Sequence, residues 1–266
     1  MKKLAIALSL MGTAIAVQAA KAPAQADIYQ QSYALYLLYH PDVKAQSTKA
    51  LVDNYKADYA PLFNGNTSVN KVQFVQYEQA RLAPVLEKRR EMSLKQTHVR
   101  YGILDKNKDQ KLTLKEFQET GLKSFDEWDK NQDGIVNEVD AALADSNKGT
   151  HDGFRVRLPI SMPMPSNTQE FIQQYGQGKN YVTLGDYLTA RDKQYFATDL
   201  NGDNVVTEEE YTQEFMQRYD QNNAKGKEKM NTIFAQQFDV ISNGKNTIQL
   251  SNIEKFAKKI DKTISQ

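Results

Sequence analysis

The chain has 266 residues, 40% of them hydrophobic and 25% charged, with a formal net charge of +1 and no cysteine. That length suffices for one large or two small cores, and a near-neutral balance without a basic run argues against nucleic acid or an anionic membrane as partner. Without cysteine there is neither a lipobox nor a disulfide, so packing or metal alone must stabilise the fold.

The chain opens with "MKKLAIALSLMGTAIAVQAA", two lysines followed by an apolar run and small residues. This reads as a secretory signal over 1–19, cleaved after Ala19 or Ala20. The run from Leu4 to Val17 is too short to span a bilayer comfortably. Removing Lys2 and Lys3 with the leader makes the net charge −1. The expected mature protein is periplasmic or secreted, begins with a short tail over 20–26, and has no integral membrane segment.

Next, "DIYQQSYALYLLYHPD" spaces Tyr29, Tyr33, Tyr36, Leu37 and His40 at helical steps, ending before Pro41. A tyrosine stripe of this kind is expected to pack into a core. A second helix is expected around Ala50 to Tyr59. Helical sequence then follows Gln73 as far as Leu104, with an interruption near Pro84.

From Asp105 onward the pattern changes. "WDKNQDGIVNEVD" puts oxygen-bearing side chains at every second residue, a spacing that fits no helix face. Counted from Asp129, they fall at positions 1 (Asp129), 3 (Asn131), 5 (Asp133), 9 (Asn137) and 12 (Asp140), with Gly134 at the sharp turn in position 6. This is the spacing of an EF-hand calcium loop, in which a hard cation takes alternate side chains, the position 7 carbonyl and a late carboxylate. The carbonyl belongs to Ile135. "DKNKDQKLTLKE" repeats the pattern with Asp105, Asn107, Asp109, the Lys111 carbonyl, Thr113 and Glu116. "DLNGDNVVTEEE" repeats it with Asp199, Asn201, Asp203, the Val205 carbonyl, Thr207 and Glu210. Position 9 often acts through a water, so Thr113, Asn137 and Thr207 are the weaker ligands. Asp140 is shorter than Glu, which weakens calcium in the loop starting at Asp129 and opens that loop to Mg2+. Gln110 and Asn204 occupy the turn position in the other two loops, where Gln costs up to about 1–2 kcal/mol. With only three carboxylates at the principal coordinating positions of each loop, modest affinities on the order of 10⁻⁵ to 10⁻³ M are expected.

An aliphatic residue followed by Thr, Asn or Gln marks Leu112, Val136 and Val206 in these loops, and the same signature recurs at Val72, Val182 and Ile248. Three degenerate hands are therefore expected near 65–76, 175–186 and 241–252. They keep the turn and short strand but lack the ligands. Lys179 and Lys245 fall at position 5, where an ammonium could replace the charge of the ion. Leu114 to Trp128 is too short for two helices and should be one, holding its two loops apart. The spacing between signatures suggests pairing Val72 with Leu112, Val136 with Val182, and Val206 with Ile248. Each pair then holds one calcium loop and one empty loop, and binding should be graded and nearly independent.

The organisation this implies is an all-α chain with minimal two-stranded contacts between loops: a first half over 27–147, a Pro/Met-rich linker over 148–166, and a second half over 167–266. Pro159, Pro163 and Pro165 forbid a regular helix in the linker, which is expected to lie extended on the surface. The alternative is a docking strand, covering an apolar groove of this protein or offered to a partner. His40, His98 and His151 are isolated, the Gly-Thr-His-Asp-Gly stretch at 149–153 reads as a turn, and no catalytic constellation is evident. The chain is expected not to be an enzyme.

With these loops, the chain resembles bacterial exported EF-hand proteins of the calsymin-like group, across Tyr101 to Ala141 and Tyr195 to Phe215. Its six-hand layout also resembles the reticulocalbin and calumenin group, whose C-terminal retention signal is replaced here by "KTISQ". The resemblance implies calcium binding. The expected function is a modest-affinity calcium buffer or calcium-stabilised scaffold. One alternative is a calcium-dependent adaptor for a protein partner, and a more remote one is an enzyme with structural calcium.

Overall fold

The structure is a computed structural model that describes residues 25–42, 47–144, 158–160, 162, 164–165 and 167–264. The leader over 1–19, most of the 20–26 tail, His151 and the 149–153 turn lie outside the described residues. Within them the chain is mostly helical, with nine helices and six two-residue strands. No described helix is long and apolar enough to cross a membrane.

Helix α1 (Gln25–Tyr39) and α2 (Thr48–Phe63) lead to β1 (Val69–Asn70) and the long α3 (Lys71–Leu104). Then come β2 (Leu112–Thr113), α4 (Leu114–Asp126), β3 (Ile135–Val136) and α5 (Glu138–Leu143). After the Pro/Met segment follow α6 (Thr168–Tyr175), β4 (Val182–Thr183), α7 (Leu184–Thr198) and β5 (Val205–Val206). The chain closes with α8 (Glu208–Ser242), β6 (Thr247–Ile248) and α9 (Leu250–Ile264). The tyrosine stripe of α1 packs as expected: Tyr29 and Tyr36 are buried, and Tyr36 stacks on Tyr55 of α2.

The strands pair antiparallel in a nested order: β1 with β6, β2 with β5, β3 with β4. The chain thus runs out through three loops and returns through the next three, each returning loop facing an outgoing one. Only the Val136–Val182 pairing follows the sequence expectation. Leu112 pairs with Val206 instead of Val72, and Ile248 pairs with Val69. The cause is helix length. α3 has 34 residues and α8 has 35, so each holds the loops at its two ends about 50 Å apart at 1.5 Å per residue. Loops joined by one continuous helix cannot face each other. Only β3 and β4, separated by two short helices and the Pro/Met segment, can meet as chain neighbours.

The first strand also lies three residues earlier than the signature at Val72 suggests. Val69 is 1% exposed and pairs; Val72 is 64% exposed on the first turn of α3. Asn70 caps that helix through a reciprocal capping box with Gln73. Nor does Pro84 interrupt α3. Both Pro84 and Ala80, whose carbonyl loses its helical donor, are exposed, so water can take that hydrogen bond.

The described part of the Pro/Met segment is not a surface linker. Leu158 and Ile160 are buried beside Leu82, Leu86, Met230 and Phe234, and Met162 packs on Phe215, Met216 and Tyr219. It covers an apolar groove of the protein itself. Gly226 of α8 makes room for it: a Cβ there would meet Pro159 O at 2.7 Å and Ile160 Cα at 2.8 Å.

Helices α3 and α8 span from the β1–β6 pair to the β2–β5 pair, and α4 and α7 span onward to the β3–β4 pair. α4 is the single helix expected between its two loops. Its Gly121 lies where a Cβ would run into the Arg191 guanidinium of α7. That guanidinium covers the Phe117 ring at 4.0 Å and donates to Phe117 O at 2.7 Å. The glycine that weakens the helix in isolation permits the close α4–α7 contact.

Candidate metal centre

Six helix–loop–strand–helix units follow from the strand positions: 62–73, 105–116, 129–140, 175–186, 199–210 and 241–252. The strand residue at the eighth place, Val69, Leu112, Val136, Val182, Val206 or Ile248, is at most 1% exposed in every unit. The six loops fall into two backbone classes. In the three oxygen-rich loops, positive φ occurs at the fourth and sixth places: Lys108 and Gln110, Gln132 and Gly134, Gly202 and Asn204. In the three oxygen-poor loops it occurs at the third and fourth: Asn64 and Gly65, Gln177 and Gly178, Asn243 and Gly244. The oxygen-poor loops therefore take their left-handed turn earlier, immediately after the entering helix.

In the oxygen-rich class the first aspartate closes the turn. Its Oδ2 accepts the N–H of the sixth residue: Gln110 to Asp105 at 2.9 Å, Gly134 to Asp129 at 2.8 Å, and Asn204 to Asp199 at 2.8 Å. The fifth-place carboxylates accept from the seventh N–H, namely Lys111 to Asp109, Ile135 to Asp133 and Val205 to Asp203. Asn107, Asn131 and Asn201 each accept from the N–H two residues on. The twelfth-place carboxylate reaches back over the loop. Glu116 accepts from Lys106 and Asn107 N–H, Asp140 from Lys130 and Asn131, and Glu210 from Leu200 and Asn201. The shorter Asp140 still comes within 2.8 Å of Lys130 N.

Burial raises the pKa of Glu116 and Glu210, but hydrogen bonds from the N–H and hydroxyl of Thr113 and Thr207, and from the N–H groups across the loop, outweigh it and leave both lowered. Both are therefore held as anions. Thr113, Asn137 and Thr207, the weaker ligand candidates, also serve as helix N-caps.

First- and twelfth-place carboxylates are buried in all three loops, whereas those at the fifth place are exposed. One oxygen stands out: Asp105 Oδ1 is buried and has no hydrogen-bond partner. A buried carboxylate oxygen left bare costs free energy unless a cation compensates it. The donors in each loop are all oxygen, as a hard cation requires. Among the described residues, no three His, Cys, Asp or Glu side chains form a group that could hold a metal ion. A complete oxygen shell here must also use the asparagine amides and the carbonyls of Lys111, Ile135 and Val205.

The two loops paired through β2 and β5 are tied reciprocally. Tyr101, four residues before Asp105, donates its hydroxyl to Val206 O of the facing loop at 3.1 Å. Tyr195, four residues before Asp199, donates to Leu112 O at 2.9 Å. The equivalent residues of the β3–β4 pair, Phe125 and Phe171, make only an edge contact. The matching residue four places before the loops of these two pairs, Tyr with Tyr and Phe with Phe, is the sequence signal that could have revealed them; the β1–β6 pair, with Asp58 and Gln237 there, carries none. Compared with protein-family models, curated proteins and solved structures, the chain matches none.

Proposed function

We propose that loops 105–116, 129–140 and 199–210 are EF-hand calcium sites, and that the protein is an exported calcium-binding scaffold or buffer. The observation that carries this reading is the bare, buried Asp105 Oδ1 inside an all-oxygen loop. The shared turn of the three oxygen-rich loops, absent from the three oxygen-poor ones, supports it. In each loop the side chains at places 1, 3, 5 and 12 and the seventh carbonyl would hold the ion, which would supply positive charge opposite the loop's carboxylates. The loop starting at Asp129, closed by an aspartate, is the one most open to Mg2+. A scaffold or buffer role is favoured over an adaptor because the described Pro/Met segment fills a groove within the protein.

Nested pairing also changes the expected binding behaviour. Loops 105–116 and 199–210 share a strand contact and should bind as a coupled pair, while 129–140 faces an oxygen-poor loop and should bind alone. Thermal unfolding tests the reading. At a hundredfold excess over its dissociation constant, each ion should stabilise the fold by about 2.7 kcal/mol, so the melting temperature should rise well above its value in chelator. A melting curve that calcium leaves unmoved would overturn the reading.

A further inference from the structure

Of the oxygen-poor loops, only 175–186 keeps a carboxylate at the twelfth place, Asp186; the other two carry the neutral amides Gln73 and Asn252. Lys179, at the fifth place of the same loop, sets its ammonium on Asp186 Oδ2 and over the Tyr181 ring at 5.0 Å. That oxygen also accepts from the Thr183 N–H at 3.0 Å and hydroxyl at 2.8 Å. The Lys179 hydrogen bond, reinforced by Thr183, pulls the Asp186 pKa down to about 2. Among the described residues, Lys245 at the matching place opposite the neutral Asn252 forms no ion pair. Of the two fifth-place lysines, the one facing a charged twelfth place is the one that is paired.

This loop is the partner of 129–140. Their strands pair at Ile135–Thr183 and Val136–Val182, and Leu184 N donates to Gly134 O at 3.0 Å. Trp128, immediately before Asp129, stacks on Phe171 of the helix entering 175–186, with ring centroids 5.0 Å apart.

We propose that Lys179 is a resident cation that keeps loop 175–186 closed without metal and so holds loop 129–140 in its binding shape in the calcium-free protein. Lys179 is a positioning residue and not a ligand. Its consequence for affinity rests on the calcium reading above; its consequence for the calcium-free fold does not. In this design one loop of the β3–β4 pair is permanently filled by the chain, and the other never has to order both halves of the pair when it binds.

The test uses the full chain in chelator, read by Trp128 fluorescence and thermal melting. Lys179→Met should red-shift Trp128 emission and lower the melting temperature by at least about 2–4 °C. Adding Asp186→Asn should restore both, because the amide recreates the neutral arrangement of the other two oxygen-poor loops. An unchanged Lys179→Met protein would overturn the proposal. So would a loss that Asp186→Asn fails to rescue, which would mean that Lys179 acts by packing on Tyr181. With calcium added, Lys179→Met should weaken the 129–140 site alone, on the order of tenfold if about a tenth of the molecules keep it preformed. If no variant or wild type titrates while the chelator pattern holds, the calcium reading fails and the resident cation stands.

Discussion

Glu210→Gln is expected to abolish calcium binding at 199–210 and also to weaken loop 105–116 by about 5- to 150-fold, the usual range of coupling between linked sites. Glu210 contacts only its own loop: Leu200 and Asn201 N–H on one oxygen, Thr207 on the other. What transmits the loss is the shared strand, Leu112 against Val206 and Thr113 against Val205, with Tyr101 and Tyr195 each donating across the pair. Ordering one loop fixes carbonyls to which the other loop's entering helix is bonded. Calorimetric titration should show two linked sites in the wild type and a single weakened one on this pair in the variant. An unchanged affinity at 105–116 would restore the independent binding that the spacing of the sequence signatures suggests.

The largest effect on stability is expected far from these loops. Arg81→Ala should destabilise the fold by about 3–5 kcal/mol, the range for breaking a buried ion pair from one side. Arg81 donates to Glu78 Oε1 at 3.2 Å and Asp58 Oδ2 at 2.8 Å, and it covers the Tyr39 and Tyr59 rings at 4.2 and 4.8 Å. Glu78 is fully buried. Burial raises its pKa above the ordinary 4.5, and Arg81 is the strongest influence opposing that rise.

Without Arg81, folding must either bury a bare carboxylate or take up a proton. A carboxyl whose pKa is raised on folding binds more protons in the native state, so its effect on stability worsens as pH rises above its unfolded value. Urea unfolding of the variant should therefore show stability falling as pH increases from about 4.5, more steeply than in the wild type. Adding Glu78→Gln should flatten that dependence. A variant within about 0.5 kcal/mol of the wild type would show that this cluster is not a structural anchor.

The oxygen-rich loops were legible as loops because their pattern is local: Asp, Asn, Asp and a late acid within twelve residues set the turns and N–H contacts that each loop makes by itself. Helices α1, α2 and α4 were legible from periodicity and from the short span between Leu114 and Trp128. The pairing was not, because it depends on how far a helix carries the next loop, and α3 and α8 have to be known as unbroken before nesting follows. Pro84 suggested a break that its exposed position does not force. The frame of the first loop was ambiguous because Val69-Asn70 and Val72-Gln73 satisfy the same short signature, and only burial separates them. Leu158 and Ile160 fill a groove whose walls, Leu82, Leu86, Met230 and Phe234, come from two distant helices. No window of sequence contains it.

Equilibrium dialysis of the chelator-stripped protein against radioactive calcium counts the ions directly. Three ions per chain are expected, two taken up in a linked step and one independently, with the sites bearing Asp105→Asn, Asp129→Asn and Asp199→Asn lost one at a time. A chain that retains no calcium at millimolar concentrations, or whose uptake is unmoved by all three substitutions together, would contradict the calcium reading.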